Sequence, residues 1–373
     1  MSRYLTLLAM TVMASLAVNI FTLLAVLRLE ALDVPLWFFS VFSASGYLAL
    51  LLVTFVLPGV MGRLAPFALF ALSFVGIAIA YGILAAAPVA ALFLLARFVF
   101  SSAFTIKWGV GESWLNVRWP SASLGRAMSV YMVAWYAPLV AAPLIVGAFT
   151  QQTQLLAWVC AGAALSTLLL LAPWKSEPAL PSERPHLHPY SFAHAPYAAA
   201  FGVLAGGLES ARAQLFPVYL SRLGLGEAEV INGVLYLSLG AIPAVLLASW
   251  LADRLKPEAA LAIIATLGAL FTFGLLGDSG TGSLWFYFLL GGAANAVYPF
   301  VTIMVGRYVA PANRVEANAS VILAYTLGGL CIPFLITLLM SSQGPQGFMI
   351  VCLGLFATLA GGLGLRHFSQ KGE

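Results

Sequence analysis

The chain has 373 residues, of which 62% are hydrophobic and 8% charged, and its mean hydropathy is +0.99. That composition excludes a soluble globular domain and requires an integral membrane protein. The formal net charge of +4 does not point to a nucleic-acid partner, because the lysines and arginines form no run, and none is expected.

In chain order, long apolar runs occupy residues 4–27, 35–58, 65–87, 88–116, 124–149 and 153–173, then 192–220, 229–252, 258–277, 283–306, 317–341 and 346–365. Each approaches or exceeds the ~20 residues a helix needs to cross a bilayer core, so twelve transmembrane helices are predicted. The first run is longer than the ~7–15-residue apolar region of a cleaved signal peptide and is read as the first span. The alternating segments of a membrane β-barrel are missing. With the N-terminus inside, twelve of the seventeen basic residues fall on cytoplasmic loops and ends, two (Arg28 and Arg222) fall outside, and three (Arg97, Lys107 and Arg212) fall inside spans. This asymmetry predicts cytoplasmic termini at both ends, in a cell inner membrane.

Between the sixth and seventh runs lies "KSEPALPSERPHLHPYSFAH", Lys175 to His194, rich in proline and charge. It divides the chain into a bundle at 1–174, a cytoplasmic linker at 175–191 and a second bundle at 192–373. A shift of 190 residues lays "VAWYAPLVAAPLI" on "LAYTLGGLCIPFL", bringing Ala134 onto Ala324 and Pro143 onto Pro333 in the fifth helix of each half. His186, His188 and His194 cluster in the linker, but no acidic or cysteine ligand is placed to complete a site, so neither a metal nor any other cofactor is expected. Cys160, Cys331 and Cys352 show no paired spacing.

"SWLADRLK", Ser249 to Lys256, keeps Leu251, Ala252, Asp253, Arg254 and a basic Lys256, and so is similar to the cytoplasmic loop motif G-x-L-A-D-R-x-G-R/K of the major facilitator superfamily. The corresponding first-half loop, "PGVMGRLAP", keeps a glycine and Arg63 but has no aspartate. Helix count and halves extend the resemblance over nearly the whole chain. Within the superfamily, "GESWLNVRWPSASLGRAMSVYMVAWY", Gly111 to Tyr136, resembles the YcaD-like transporters. The resemblance implies an all-α membrane fold of two six-helix bundles, with the first, fourth, seventh and tenth helices around a central site. It further implies that Asp253 meets the start of the fifth helix, near Ser121 to Arg126, with Arg254 and Arg307 completing a cytoplasmic gate.

The helices so singled out each carry polar residues at helical spacing. At 100° per residue, Arg97, Ser101, Thr105, Trp108 and Glu112 fall within about 80° of one another on the fourth. Lys107 lies to one side; Lys107 and Glu112 are expected to reach the cytoplasmic interface by snorkelling, whereas Arg97 lies deeper. The first helix carries Thr11, Ser15, Asn19 and Thr22, and the tenth carries Asn295, Tyr298 and Thr302. Singly, such hydroxyls are expected to bond back to their own helix carbonyls. In the seventh, Glu209 is the one acid well inside a span, with Arg212 three residues on and able to pair with it. Paired glycines at 206/207, 291/292, 328/329 and 361/362 are expected to permit close helix packing.

No GxxxxGK[ST] motif is present, so energy is expected from an ion gradient. Glu209, with Glu112 next, makes protons the first choice. The charges on the helices that resemblance puts at the cavity sum to about +1, which favours an anionic or zwitterionic organic substrate bound by Asn19, Arg97, Ser101, Thr105, Trp108, Arg212, Asn295 and Tyr298. The expected function is secondary active transport by alternating access, with small-molecule substrate, protons and lipid bilayer as partners and the chain a monomer. A proton-driven exporter of hydrophobic or cationic drugs is the alternative, and a transporter-fold sensor is a third reading. An intramembrane enzyme is disfavoured, since every histidine lies in the linker or the tail.

Overall fold

A backbone in hydrocarbon has no water to bond, so a chain of long apolar runs satisfies its N–H and C=O groups within helices. The computed structural model describes residues 2–86, 89–180, 196–276, 284–310 and 313–369, and these are helical apart from short connections. The first half contains α1 (Ser2–Ala31), α2 (Leu36–Met61), α3 (Pro66–Ala86), α4 (Ala90–Arg118), α5 (Ser121–Ala148) and α6 (Thr153–Ser166). A 3₁₀ segment, Thr167–Trp174, prolongs α6. The second half contains α7 (Pro196–Ser210), a π-helical turn (Ala211–Leu215), α8 (Phe216–Arg222), α9 (Glu227–Arg254), α10 (Pro257–Leu275), α11 (Leu284–Tyr308), α12 (Arg314–Gln343) and α13 (Gly347–Ser369).

Among the described residues, ten helices are long and apolar enough to cross a membrane. The seventh predicted span is the composite of α7, the π turn and α8, and the twelfth is α13. The fold is thus the expected all-α membrane architecture of twelve spans.

The chain divides into two units, Met1–Val34 with Ser45–Arg184, and Pro35–Ala44 with Pro185–Glu373. The first turns of α2 therefore belong to the second unit, where Ser40 Oγ lies 2.6 Å from Thr337 Oγ1 and donates to the Pro333 carbonyl at 2.8 Å. The same pairing scheme recurs in both units: α1 packs on α5 and α3 on α6 in the first, as α7 packs on α12 and α10 on α13 in the second.

Glycine lets two pairs in the second unit approach backbone to backbone. A Cβ at Gly206 of α7 would run into the carbonyl of Tyr325 on α12, and one at Gly328 of α12 into that of Val203 on α7. Gly240 against Phe288 and Gly291 against Leu237 do the same for α9 and α11. Of the glycine pairs singled out in the sequence, three supply these contacts, while Gly361 meets nothing within 4 Å.

In the first unit, one end is fastened by a residue that sequence composition assigns to the linker. Glu177, with 4% of its side chain exposed, binds Arg3 of α1 at 2.7 Å and Arg118 of α4 at 3.0 Å. Arg3 also donates to the Pro173 carbonyl, and Trp174 Nε1 donates to Thr6 Oγ1 at 2.9 Å. Both arginines are more than a third exposed, so solvent screens the pairs. Glu177→Ala is therefore expected to cost about 1–2 kcal/mol, seen as a lower melting midpoint of the detergent-purified protein. An unchanged midpoint would show that Glu177 fastens nothing.

Candidate functional site

In the first unit, α1 and α4 bring together hydroxyls and buried cations. Thr11 and Thr22 are eleven residues apart, close to three helical turns, so they lie on one face of α1. Each hydroxyl donates back along its helix, Thr11 to Leu7 at 2.7 Å and Thr22 to Val18 at 2.8 Å. With the proton committed there, the oxygen lone pairs are left for a cation. Lys107 Nζ donates to Thr11 Oγ1 at 2.6 Å, and Arg97 donates to Thr22 Oγ1 at 3.2 Å. The back-bonding expected of these threonines is present, and it orients them as acceptors.

Lys107 does not snorkel. It is 0% exposed and stands about 16 Å along α4 from Arg118. Tyr131 of α5 offers it a hydroxyl at 3.5 Å and a ring face at 5.2 Å. Arg97 is 8% exposed, and α2 makes room for it: a Cβ at Gly46 would lie 2.5 Å from Arg97 Nε. Its guanidinium is thus seated against α1 and α2 within the unit.

The remainder of the α4 stripe is divided. Ser101 and Thr105 are buried, and Thr105 donates to the Ser101 carbonyl at 2.7 Å. Trp108 and Glu112 are half-buried, and Trp108 Nε1 donates to Glu112 Oε1 at 2.5 Å. The Trp108 ring stacks on Trp135 of α5 with centroids 6.1 Å apart and planes 19° from parallel. Ser15 donates to the Trp135 carbonyl at 2.5 Å, and Asn19 donates to the Ser15 carbonyl at 2.8 Å. Sequence reasoning missed Tyr131 and Trp135 as neighbours of the stripe, although "YMVAWY" carries both.

In the second unit, Arg212 pairs with Glu209 through both oxygens, Nε to Oε2 at 3.1 Å and Nη2 to Oε1. Arg212 lies in the π turn, where the Phe216 N–H reaches back five residues to the Ala211 carbonyl. Pro217 follows, and its missing N–H prevents the α pattern from closing on Ala213. Single π turns inside α-helices recur at functional sites. A cavity of about 10 Å³ beside this turn, walled by Leu208, Ala211, Arg212, Phe216, Leu237 and Leu290 among others, is roughly the size of one water. Gln214, also in the turn, is 2% exposed, and its Oε1 has no hydrogen-bond partner among the described residues.

On α11, Asn295 is buried and donates to the Gly291 carbonyl at 2.7 Å, while Tyr298 packs on Tyr325 with centroids 4.9 Å apart. Arg254 lies over the Trp250 ring at 4.2 Å, and Arg307 donates to the Leu255 carbonyl at 3.5 Å. The side chains of Asp253, Ser121, Ala122, Leu124 and Gly125 lie outside the described residues, as do His186, His188 and His194.

Comparison with known proteins decides the family. The sequence model of the Major Facilitator Superfamily matches residues 5–290. The chain belongs to that superfamily. An uncharacterised MFS-type transporter of Yersinia enterocolitica is 25% identical over 269 residues, covering 69% of this chain and 68% of that protein. One from Enterobacter sp. strain 638 is 24% identical over 263 residues, covering 68% and 67%. Among solved structures, a bacterial homologue of the human lysosomal transporter Spinster, inward-facing and occupied, matches with a TM-score of 0.81 at 12% identity, covering 97% of this chain and 95% of that one. The nucleoside transporter NupG matches with a TM-score of 0.75 at 14% identity, covering 97% and 98%. At these identities the structures share the fold. Membership makes the protein a multi-pass membrane transporter that binds small molecules, and not an enzyme.

Proposed function

We propose that this superfamily member is a proton-coupled secondary transporter moving a small anionic or zwitterionic organic solute across the inner membrane by alternating access, with residues 1–174 and 192–373 as its two halves and both termini cytoplasmic. The observation that carries the reading is the Glu209–Arg212 pair at the π turn. The Arg212 side chain is 9% exposed and that of Glu209 30%, so the carboxylate is the accessible partner of a desolvated cation. The break in helical hydrogen bonding beside it supports the reading, since a helix interrupted there is a place where a proton on Glu209 would bias a rearrangement. Within the spans, Arg97, Lys107 and Arg212 outnumber Glu112 and Glu209, which favours a solute with a negative group. Proton coupling also has a precedent on this fold: FucP, named a fucose:proton symporter, matches with a TM-score of 0.63 at 13% identity.

Proteoliposomes carrying a pH difference and a panel of organic acids, amino acids and peptides test the reading. The wild type is expected to concentrate one class of these solutes. Glu209→Gln, which mimics the protonated form, is expected to keep gradient-free counterflow and lose accumulation driven by pH. Arg212→Gln, alone and combined, separates loss of the carboxylate from loss of the pair. Accumulation retained by Glu209→Gln would remove Glu209 from the coupling and turn attention to Glu112.

A further inference from the structure

Glu112 is placed unusually for a carboxylate. It lies about 9 Å inside the Arg118 end of α4, and it is largely buried with a minor part of its surface exposed. Among the described residues no cation lies within ion-pair distance of it; the ion pairs there are those of Glu177 and Glu209. Lys107 is its electrostatic neighbour, but Thr11 and Tyr131 hold that ammonium on another side of α4. One carboxylate oxygen accepts the Trp108 indole N–H. A charge inside a span is tolerated where it faces protein or a water-filled space, so this side of α4 is not lipid-facing. Two partly exposed indoles, Trp108 and Trp135, share that side, in near-parallel stack and extended by Phe104 at 5.3 Å from Trp135. Aromatic ring faces beside a carboxylate give a ligand both an apolar surface and a charge partner.

We infer that Glu112 and the Trp108–Trp135 stack form a recognition site for a protonated amine carried next to a flat apolar group. The carboxylate supplies a charge-assisted hydrogen bond. The ring faces attract the same cation through their quadrupole and cover the apolar part. Trp108 serves twice, since its N–H fixes the carboxylate while its face receives the ligand. The rings stack too closely to admit a ligand between them, so the ligand lies on their open face. Rotation of Glu112 away is opposed by the 2.5 Å bond to Trp108. The consequence for transport rests on the proposed function above: among anionic and zwitterionic solutes, the site selects those with an amine. Binding itself does not depend on that reading.

Tryptamine, tryptophan and indole-3-acetate share one ring and differ in charge, as cation, zwitterion and anion. Equilibrium dialysis of the detergent-purified full chain with each, radiolabelled and at neutral pH, reads the site without any gradient. Tryptamine and tryptophan are expected to bind about tenfold more tightly than indole-3-acetate. Glu112→Gln is expected to abolish that preference, and Glu112→Asp to keep part of it, which shows that loss in the glutamine variant is not misfolding. Trp135→Leu, with an unchanged melting midpoint, is expected to weaken binding of the amines severalfold. Equal binding of all three compounds, a preference for indole-3-acetate, a preference that survives Glu112→Gln, or no binding up to millimolar concentration would each overturn the inference. A wild type that shows no amine preference yet retains pH-driven accumulation removes this site alone. A wild type that keeps the amine preference but accumulates no solute under a pH difference removes the proton coupling and leaves the site standing.

Discussion

Gly206→Ala and Gly291→Ala are each expected to deprive the protein of a stable fold, although each adds one methyl group. The new Cβ at Gly206 would fall onto the Tyr325 carbonyl oxygen, with the carbonyl carbon at 2.7 Å, and that at Gly291 onto the Leu237 carbonyl oxygen, with its carbon also at 2.7 Å. These obstacles are helix backbone, which cannot rotate aside like a side chain, so α7 and α12, or α9 and α11, must separate along their contact. Between membrane helices there is no hydrophobic drive to restore the packing, and close approach is itself the source of association. Separation also removes the weak Cα–H···O contacts such an approach allows. The expected cost is about 4 kcal/mol or more, seen as aggregation on size exclusion or a large fall in melting midpoint. Gly162→Ala is the control, since its Cβ would meet nothing within 4 Å. That change is expected to be neutral or to gain up to about 1 kcal/mol of helix propensity. A Gly206→Ala protein that melts with the wild type would show that the two helices slide apart at little cost.

The spans were legible because an apolar run of sufficient length needs no tertiary information to be recognised. What the runs hid was their interior. Residues 192–220 read as one helix, yet the chain makes a π turn at Ala211–Leu215. Proline is tolerated within membrane helices, so Pro217 carried no stop signal. Run 153–173 similarly gave no sign of its change to 3₁₀ at Thr167. Glu177 sits in a stretch whose composition says linker, and only the fold brings it between Arg3 and Arg118.

The polar residues divide along the same line. Thr11 and Thr22 on one face, and Glu209 three residues before Arg212, follow from helical geometry alone. Which cation each threonine receives does not, because that depends on the register of α1 against α4. The snorkelling expected of Lys107 fails because its position beside the stripe leaves two destinations open, the interface or a neighbouring helix, and α1 and α5 supply the second. Trp135 and Tyr131 stand in an apolar run where aromatic residues carry no periodic signal, so their place beside Trp108 and Lys107 came from the fold.

Thr11→Val is expected to destabilise the protein, and Lys107→Met to cancel that loss. Lys107 is fully buried, so its ammonium depends on Thr11 Oγ1 at 2.6 Å and on the more distant Tyr131. Valine keeps the shape of threonine and removes the acceptor. With the lysine charged and desolvated, the lost bond is expected to cost about 2–3 kcal/mol. Methionine fills nearly the same volume as lysine without a charge. Buried ionic groups replaced together by apolar residues of similar volume are often neutral or stabilising, and Lys107, whose hydrogen-bond acceptors are neutral hydroxyls, leaves no partner charge at ion-pair distance when methionine takes its place. In the methionine background the Thr11 hydroxyl keeps its bond to the Leu7 carbonyl and its contact with the Tyr131 hydroxyl, both neutral, so Thr11→Val is expected there to cost less. Melting or denaturant unfolding of the four proteins in detergent measures the coupling, expected at about 1.5–3 kcal/mol. An equal cost of Thr11→Val in both backgrounds would mean that the hydroxyl serves α1 alone and that Lys107 is held by other groups. Transport adds a second readout, because a cation retained at mid-span against its desolvation cost implies a use for its charge. Lys107→Met is therefore expected to be the more stable protein and the poorer transporter.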